Sequence, residues 1–500
     1  MFPLSARAAD ASALGAGLLL PLAFSPFGLF PLAVLAPAAL FYFWHQGSAV
    51  RAAWRGFLFG LGMFGVGVSW VYVSMHNFGN MPPALAALTA LLLAAGLALY
   101  PALLGYVQAR LFKRESRWHA TLVLPALWVL FEWWRGWFLS GFPWLDLGYS
   151  QIDTPLAFYA PLGGGYAVSL MVALSAGCVV GCLRTPQRMA VRLSLLAAIW
   201  SGGLLLERVE WGQPDAAPLR VTLVQANVPL REKWDSTKRA DILTRYQQLS
   251  VAAPASELIV WPEAAIPMAL DRIDVSYLDG LREHARRHGT DFLIGVIERS
   301  ADRREYYNSV ISLNAERGID GVYRKQHLVP FGEYTPFKPL FLWLLNSLQI
   351  PMSDLSPGLA PQAPLTAAGR KLGVSVCYED AFGDELRWVL PQASVLVNVS
   401  EDAWFGDSLA PHQRLQMARL RALETARPML RAANTGPSAV IDHRGQVLAR
   451  SPQFRVHVLS ADVQPMQGAT PYTVVGDWAA VVLAIVLLVT AWAGARRKAA

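Results

Sequence analysis

Cysteine and charged residues are both scarce in this chain of 500 residues. Its three cysteines are too few to staple a fold of this length with disulfides. Charged residues make up only 16% of the chain, against roughly 25% in soluble proteins, while 54% of the residues are hydrophobic and the mean hydropathy is +0.32. This composition excludes a disordered or collagen-like chain, and it predicts that much of the polypeptide lies in lipid.

Common signatures of nucleotide and metal chemistry are missing as well. The sequence has no GxxxxGK[ST] loop, no GxGxxG after a predicted strand and no HExxH pair. Nucleotide hydrolysis, a dinucleotide cofactor and a zinc-protease mechanism therefore lack their usual signals.

Charge is distributed unevenly along the chain. Residues 1–218 carry 12 basic and 8 acidic side chains, whereas residues 219–468 carry 28 and 27. The pattern predicts an α-helical membrane domain over 1–218, a soluble domain over 219–468, and a last membrane helix with a tail over 469–500.

Eight apolar runs are predicted to cross the membrane, seven before the soluble domain and one after it. They cover residues 10–25, 28–45, 55–75, 83–108, 119–138, 157–183, 193–207 and 474–493. The run behind Arg7 also fits a signal peptide, but the next apolar run follows directly after the turn at 25–28. An uncleaved helical hairpin is therefore predicted.

Basic residues in the short connections predict the orientation. Thirteen Lys and Arg lie on one side of the predicted spans, and the connections on the other side hold only Arg135. Because basic loops stay in the cytoplasm, both termini are expected there. Seven spans then place residues 219–468 outside the cytoplasm, and six of the seven net positive charges belong to the membrane segments. The basic composition is therefore an orientation signal and does not indicate nucleic-acid binding.

Few polar groups lie inside the predicted spans. Glu132 and Arg135 are three residues apart, which permits either contact with a lipid headgroup or a mutual pair on one helix face. Cys178 and Cys182 are interpreted as small apolar residues at a helix contact, not as metal ligands or a disulfide.

The soluble region alternates strands and helices, which predicts a layered α/β domain. The predicted strands cover 219–228, 258–261, 292–297, 309–313, 372–376, 395–399 and 439–441. The predicted helices cover 236–252, 276–288 and 411–425. Three segments place an ionisable residue at the edge of an apolar element: Glu263 after one strand, Cys377 after another, and the cluster at 323–336.

These segments resemble, in order, the three signatures of the nitrilase (carbon-nitrogen hydrolase) superfamily. They are Trp261-Pro-Glu263, Arg324-Lys325 with Glu333 eight residues later, and Val376-Cys-Tyr-Glu379. With the eight spans, the whole chain resembles the membrane-embedded lipoprotein acyltransferases of that superfamily. Further matches lie at 141–145, 148–151, 233–235 and 330–336. The resemblance implies an αββα sandwich that carries a Glu-Lys-Cys triad.

By this resemblance, Glu263 is the general base, Lys325 stabilises the oxyanion and Cys377 is the nucleophile. Glu333 is expected to position Lys325, and Tyr378, Glu379 and Trp234 are either important for catalysis or structural supports of the site. The implied reaction moves a fatty acyl chain from a phospholipid, phosphatidylethanolamine by resemblance, through a Cys377 thioester. The acceptor is the N-terminal α-amine of the diacylglyceryl-cysteine of an apolipoprotein. No metal or other cofactor is expected, and the implied location is the bacterial inner membrane with a periplasmic catalytic domain.

Residues 337–351 are too short to span a bilayer and too apolar for a solvated loop. They are interpreted as an arm that enters the outer leaflet through Leu342, Trp343 and Leu345, or else as a segment packed on the sandwich. Trp144 is a second candidate for lipid contact.

Two alternative functions are also considered for this sequence. A membrane-tethered amidase or nitrilase would share the triad and take water as acceptor, but it has no need of a large membrane domain. A transporter or scaffold with an inactive domain predicts ionisable residues deep in several spans, and these are nearly absent.

Overall fold

The computed structural model describes residues 5–114, 116, 118–337 and 354–496, which form two compact units. The first unit contains residues up to Tyr72, Pro82–Glu210 and the segment from Val474 onward. The second contains Trp211–Thr473 and one short earlier segment, Val73–Met81.

The first unit is helical throughout. Its α-helices are Ala6–Leu19, Pro31–Trp44, Ala49–Gly67, Pro83–Leu111, Leu124–Trp137, Ala160–Arg184, Met189–Leu206 and Trp478–Arg496. Shorter helical turns are Leu20–Ala23, His119–Val123, Phe138–Ser140, Leu147–Gln151, Pro155–Tyr159 and Pro186–Arg188. The turn predicted at 25–28 separates the first two helices, so the predicted hairpin connection is confirmed.

Three helices among the described residues are long and apolar enough to cross a membrane. They are Pro83–Leu111, Pro155–Arg184 and Pro186–Leu206, and a bent pair, Ala49–Gly67 with Trp70–Phe78, would make a fourth. Pro31–Trp44 has 14 residues, fewer than the roughly 20 that cross a bilayer. The count of eight spans therefore stays a prediction.

The polar pair expected at Glu132 and Arg135 has other partners. The Arg135 guanidinium forms an ion pair with Asp146, eleven residues further on, while Glu132 accepts from the Trp128 indole N–H and the Leu147 amide. The reason is burial, since both side chains are under 5% exposed and each needs several hydrogen bonds. Neither reading of the pair, as a headgroup contact or as a mutual pair, describes these contacts.

The second unit is built from fourteen strands in the described residues, in two six-stranded sheets and one two-stranded sheet. In chain order the strands are β1 Gly212–Pro214, β2 Leu219–Gln225, β3 Leu258–Val260, β4 Asp291–Arg299, β5 Tyr306–Asn314, β6 Gly318–Arg324, β7 Leu365–Ala367, β8 Arg370–Val376, β9 Val395–Ser400, β10 Met429–Ala433, β11 Ala439–Ile441, β12 Val447–Arg450, β13 His457–Val463 and β14 Met466–Gly468. One large sheet has the order β13-β2-β3-β4-β5-β6, and the other β12-β11-β10-β9-β8-β7.

Most helices of this unit lie between strands in the chain, and the last one follows β14. They are Leu230–Lys233, Arg239–Val251, Val275–His288, Gly383–Leu386, Ala410–Thr425 and Pro471–Val475, with shorter turns at Leu270–Arg272, Cys377–Ala381, Arg387–Val389 and Asp402–Phe405. The predicted helices at 236–252, 276–288 and 411–425 are confirmed within a few residues.

The two large sheets share one apolar core, which makes the unit a four-layer sandwich. Alternate residues of each strand point to opposite faces. Val221 and Leu223 of β2 therefore pack with Val374 and Val376 of β8 between the sheets. The outer face of the first sheet packs on helices Arg239–Val251 and Val275–His288, and the outer face of the second packs on Gly383–Leu386 and Ala410–Thr425. The order of layers is αββα, as the resemblance implies.

The segment Val73–Met81 belongs to this second unit although it precedes the rest in the chain. The Ser74 hydroxyl donates to the Trp404 carbonyl at 2.8 Å, and the Arg231 guanidinium donates to the Asn77 carbonyl at 3.3 Å. Most of the segment is a π-helical turn, Ser74–Phe78.

Candidate active site

The candidate catalytic residues lie just beyond the carboxyl ends of three strands. Glu263 follows β3, Lys325 follows β6 directly, and Cys377 follows β8 directly. Because β3 and β6 belong to one sheet and β8 to the other, the site draws on both halves of the sandwich.

Cys377 begins a short helical turn in an unusual backbone conformation. Its φ is +52°, which is the left-handed region that non-glycine residues rarely occupy. The Cys377 carbonyl accepts hydrogen bonds from Arg414 Nη2 at 2.6 Å and Asn398 Nδ2 at 3.1 Å, and these donors hold the turn. The thiol is free, and the side chain is only partly exposed.

Glu263 is fixed through both carboxylate oxygens. Oε1 accepts from Asn308 Nδ2 at 2.6 Å, and Oε2 accepts from the Glu401 amide at 2.7 Å. The backbone at Glu263 also packs against Gly295 of β4, where a β-carbon would lie 2.2 Å from the Pro262 carbonyl oxygen. A glycine is therefore needed for β4 to approach the base so closely.

Lys325 is buried at 1% exposure and forms an ion pair of 2.7 Å with Glu333 Oε2. Glu333 is held in turn by the Val329 amide at 2.8 Å and by Asn308 Nδ2 at 3.1 Å. The Asn308 amide therefore links the carboxylate next to Lys325 with the carboxylate of Glu263. Glu333 thus lies beside Lys325, and its role in positioning the lysine stays a prediction.

The charges of these groups act on one another. Burial and then the Glu263 carboxylate raise the pKa of the Cys377 thiol to about 12, although Arg414 and Lys325 act in the opposite direction. Burial lowers the pKa of Lys325, but Glu333, the Cys377 sulfur and Glu263 outweigh it, so the lysine pKa is raised and the ammonium stays charged. A thiol in this environment needs a base to become a nucleophile.

Glu379 connects the segment after Lys325 with the turn of Cys377. Its Oε1 accepts from the Gln326 and His327 amides at 2.6 and 3.0 Å, and its Oε2 accepts from the Val376 amide and the Tyr323 hydroxyl at 2.6 and 3.0 Å. Burial raises the pKa of Glu379 to about 7, against Lys325 and these donors. The contacts are those of a residue that positions its neighbours.

Tyr378 and Trp234 have different surroundings. The Tyr378 ring packs edge-on against Phe382 at 4.9 Å and His327 at 5.7 Å between ring centroids, so it supports the turn. Trp234 lines a cavity of about 190 Å³ together with Arg239, Met268 and Tyr306.

The residue before Trp234 has a clear role in the site. Lys233 is 2% exposed, forms an ion pair with Glu401 and donates to the Glu263 carbonyl at 2.9 Å. The Lys233–Glu401 pair therefore holds Glu263 at two points. Lys233 binds the Glu263 carbonyl, and the Glu401 amide binds Glu263 Oε2.

A second buried charge group lies against Cys377. Arg414 pairs with Asp380 at 2.9 Å and Asp402 at 2.7 Å, and Arg431 pairs with Asp402 at 2.7 Å and approaches Asp380 at 3.8 Å. We call these four residues the Arg–Asp cluster, and every member is at most 1% exposed.

Sequence reasoning missed Asn308, Glu401 and the Arg–Asp cluster. Polar residues that directly follow or end predicted buried strands, such as Glu401 after 395–399, are a signal that could have found part of this set. Arg414 lies inside a helix, and nothing in its local sequence distinguishes it from a solvated arginine.

Of the lipid-contact candidates, only Trp144 lies among the described residues. Trp144 lies in the first unit, is 1% exposed and packs against Trp70 and Phe142, so its ring is enclosed by protein. Leu342, Trp343 and Leu345 lie outside the described residues, and their proposed contact with lipid stays a prediction.

A sandwich of this topology, with a Cys, a Lys and a Glu at its strand ends, defines a carbon-nitrogen hydrolase domain, and residues 220–472 match the Carbon-nitrogen hydrolase family. Residues 16–178 match the apolipoprotein N-acyltransferase N-terminal domain. The chain belongs to the apolipoprotein N-acyltransferase family.

Curated relatives are similar over nearly their whole length. The apolipoprotein N-acyltransferase of Methylococcus capsulatus is 44% identical over 489 residues, which cover 97% of this chain and 96% of the relative. That of Nitrosomonas europaea is 45% identical over 457 residues, which cover 91% of each. The solved carbon-nitrogen hydrolase of Helicobacter pylori G27 is 16% identical, covers 49% of this chain and 89% of its own, and has a TM-score of 0.37.

Proposed function

We propose that this enzyme transfers a fatty acyl chain from a membrane phospholipid to the N-terminal α-amine of a diacylated apolipoprotein. The acyl chain passes through a thioester on Cys377, and Glu263, Lys325 and Cys377 form the catalytic triad. The proposal rests on the relatives' shared name and on the convergence of these three residues. The observation that carries it is the fixed carboxylate of Glu263 and the buried ammonium of Lys325, both acting on one thiol.

In the first half-reaction, Cys377 gives its proton to Glu263 and its sulfur attacks the ester carbonyl carbon. Lys325 stabilises the negative charge that develops on the carbonyl oxygen, since a fixed cation acts most strongly on charge formed in the transition state. The ester C–O bond then breaks, and the departing lysophospholipid oxygen takes the proton from Glu263.

In the second half-reaction, the α-amine of the apolipoprotein attacks the thioester carbonyl carbon and gives a proton to Glu263. The C–S bond breaks and its electron pair returns to sulfur, which is then reprotonated. The product is an amide, so the transfer is driven by exchange of a thioester for a more stable bond.

The membrane domain fits this function because both substrates are anchored in lipid. We propose eight spans, cytoplasmic termini and a periplasmic catalytic domain within the inner membrane, on the basis of the thirteen basic residues in the loops of one side. Phosphatidylethanolamine is the proposed donor. A water-using hydrolase remains the alternative with the same triad.

The decisive experiment separates the two half-reactions. Full-length enzyme in detergent is incubated with phospholipid alone, and the Cys377 peptide is analysed by mass spectrometry for an added acyl group. We expect the adduct in the wild type and none in Cys377→Ala. A diacylated lipopeptide should then discharge the adduct and become N-acylated.

Three results would count against the proposal. Transfer by Cys377→Ala would remove the thioester from the mechanism. Discharge of the adduct by water as fast as with lipopeptide would favour a hydrolase. A wild-type enzyme that neither forms the adduct nor transfers would favour the transporter or scaffold alternative.

A further inference from the structure

A buried guanidinium contacts the sulfur of the nucleophile. Nη1 of Arg414, in helix Ala410–Thr425, lies 3.6 Å from Cys377 Sγ, which is within hydrogen-bonding distance for sulfur. Nη2 of the same side chain donates to the Cys377 carbonyl at 2.6 Å. One guanidinium therefore holds both the backbone and the reactive atom of Cys377.

The position of this guanidinium is fixed by the Arg–Asp cluster. Asp380 and Asp402 each form an ion pair with Arg414, and Arg431 completes a group of two positive and two negative charges. A planar guanidinium paired on several edges has little freedom to move. Its charge is balanced in the resting enzyme, so the cluster can be buried and still present a cation to the sulfur.

We propose that Arg414 is a catalytic residue that stabilises negative charge on the Cys377 sulfur. This role rests on the proposed function, in which sulfur carries that charge twice. It does so when Cys377 gives its proton to Glu263 before attack, and again when the C–S bond of the thioester breaks and the electron pair returns to sulfur. The enzyme thereby assigns one cation to each charged atom, Lys325 to the substrate oxygen and Arg414 to the sulfur.

The charges that face the sulfur support this division. Glu263 and Glu333 disfavour a thiolate, as does burial, while Arg414 and Lys325 favour it. Lys325 is already paired with Glu333 at 2.7 Å, whereas Arg414 makes its own contact with Sγ. Removal of Arg414 would take away the cation that contacts the sulfur.

The test measures the reactivity of Cys377 in the full-length enzyme in detergent micelles. Iodoacetamide alkylation of the Cys377 peptide is followed by mass spectrometry from pH 7 to pH 10.5. We expect Arg414→Gln to slow alkylation about tenfold at each pH below the midpoint, which corresponds to a shift of about one pH unit. Arg414→Lys should recover part of the rate because it keeps the charge.

The matched control is Arg419→Gln, which removes an arginine of the same helix that lies outside the cluster and donates to the Gly445 carbonyl. Its alkylation profile should stay within about twofold of the wild type. An Arg414→Gln/Asp380→Asn double variant keeps the cluster balanced in charge, so it tests the same contact without leaving an unpaired carboxylate. Thermal unfolding checks that each variant is folded.

Two outcomes would overturn the proposal: a wild-type profile in the folded double variant, or an equal shift in Arg419→Gln. A failure of the proposed function is distinguishable, because it would be seen as no acyl adduct on wild-type Cys377 whatever the alkylation profile.

Discussion

At the residue scale, the nucleophile combines a strained backbone with a crowded electrostatic environment. A non-glycine residue in the left-handed region costs about 1–3 kcal/mol, and it persists only where its surroundings hold it there. Arg414 and Asn398 both donate to the Cys377 carbonyl and so hold the turn. The same contacts that fix the backbone therefore set the direction of the thiol.

Asn308 is predicted to be necessary for the placement of the base. Asn308→Ala removes the single amide that donates to both Glu263 and Glu333, and we expect acyl transfer to fall about 100-fold, as small misplacements of catalytic groups can cause. The measurement is kcat with a diacylated lipopeptide.

The matched control for Asn308 is Asn314→Ala, at the other end of β5, where the side chain accepts from the Arg317 amide. It should retain transfer. Equal activity in Asn308→Ala and the wild type would show that Glu263 does not depend on this amide.

Glu379 predicts a pH dependence of stability. Its pKa is raised from 4.5 to about 7 in the folded protein, so the native state binds the proton more tightly than the unfolded chain does. The stability that this proton contributes is present below pH 4.5 and is lost as the pH rises through about 7. The neutral variant Glu379→Gln lacks this trend.

We therefore expect Glu379→Gln to be destabilised more, relative to the wild type, at pH 5 than at pH 8. Thermal unfolding in detergent at the two pH values measures the difference. The opposite order would mean that the four donors to Glu379 outweigh its burial and keep the carboxylate charged. Acyl transfer should fall at both pH values because the turn of Cys377 loses a support.

At the scale of elements, the close packing of β4 against the backbone of Glu263 is predicted to leave no room for a side chain at Gly295. In Gly295→Ala, the added methyl would meet the Pro262 carbonyl at 2.2 Å and the Glu263 Cα at 2.8 Å. We expect a destabilisation of about 1–3 kcal/mol and a loss of transfer, since the backbone that carries Glu263 must move. Unfolding and transfer assays measure both.

Gly280→Ala is the control for this substitution. Gly280 lies in helix Val275–His288, and its nearest neighbour is the Gln247 side chain at 3.8 Å. Alanine should be tolerated there or stabilise by up to about 1 kcal/mol. If Gly295→Ala behaved like Gly280→Ala, the close approach of β4 would not control the base.

The sequence predicts the buried elements of the catalytic unit well and its edges less well. Strands such as β3, β8 and β9 are short β-branched runs bounded by polar residues, and their positions are confirmed. β6 is absent from the predicted strands because Gly318, Asp320 and Gly321 interrupt its apolar pattern, which an edge strand does not need to maintain. β10 was missed because Arg431 stands in its centre, where only its pairing with distant aspartates makes a buried charge acceptable.

The residues of the site that the sequence predicts are those that stand in local motifs. Glu263, Lys325 and Cys377 each stand in a motif that resembles a known superfamily. Asn308 and Arg414 act through contacts with residues far away in the chain, so no local pattern marks them.

At the scale of the whole molecule, the proposed topology predicts opposite accessibility for two points in the chain. A protease site inserted into the exposed turn at 301–304 should be cleaved in spheroplasts, because that turn belongs to the proposed periplasmic domain. A tag at the C terminus should be protected until the membrane is permeabilised. Protection of the turn together with cleavage of the tag would reverse the orientation.

The segment Val73–Met81 also limits how this catalytic unit could be exchanged between proteins. A single genetic replacement of residues 211–473 by the corresponding domain of a water-soluble relative would leave the segment behind in the membrane part of the gene. The incoming domain would then need an acceptor for the Ser74 hydroxyl and a donor to the Asn77 carbonyl. Trp404 and Arg231 supply these groups in this protein. The two units are thus interleaved in the gene, and the segment is expected to change in sequence together with the residues of its own unit that it contacts.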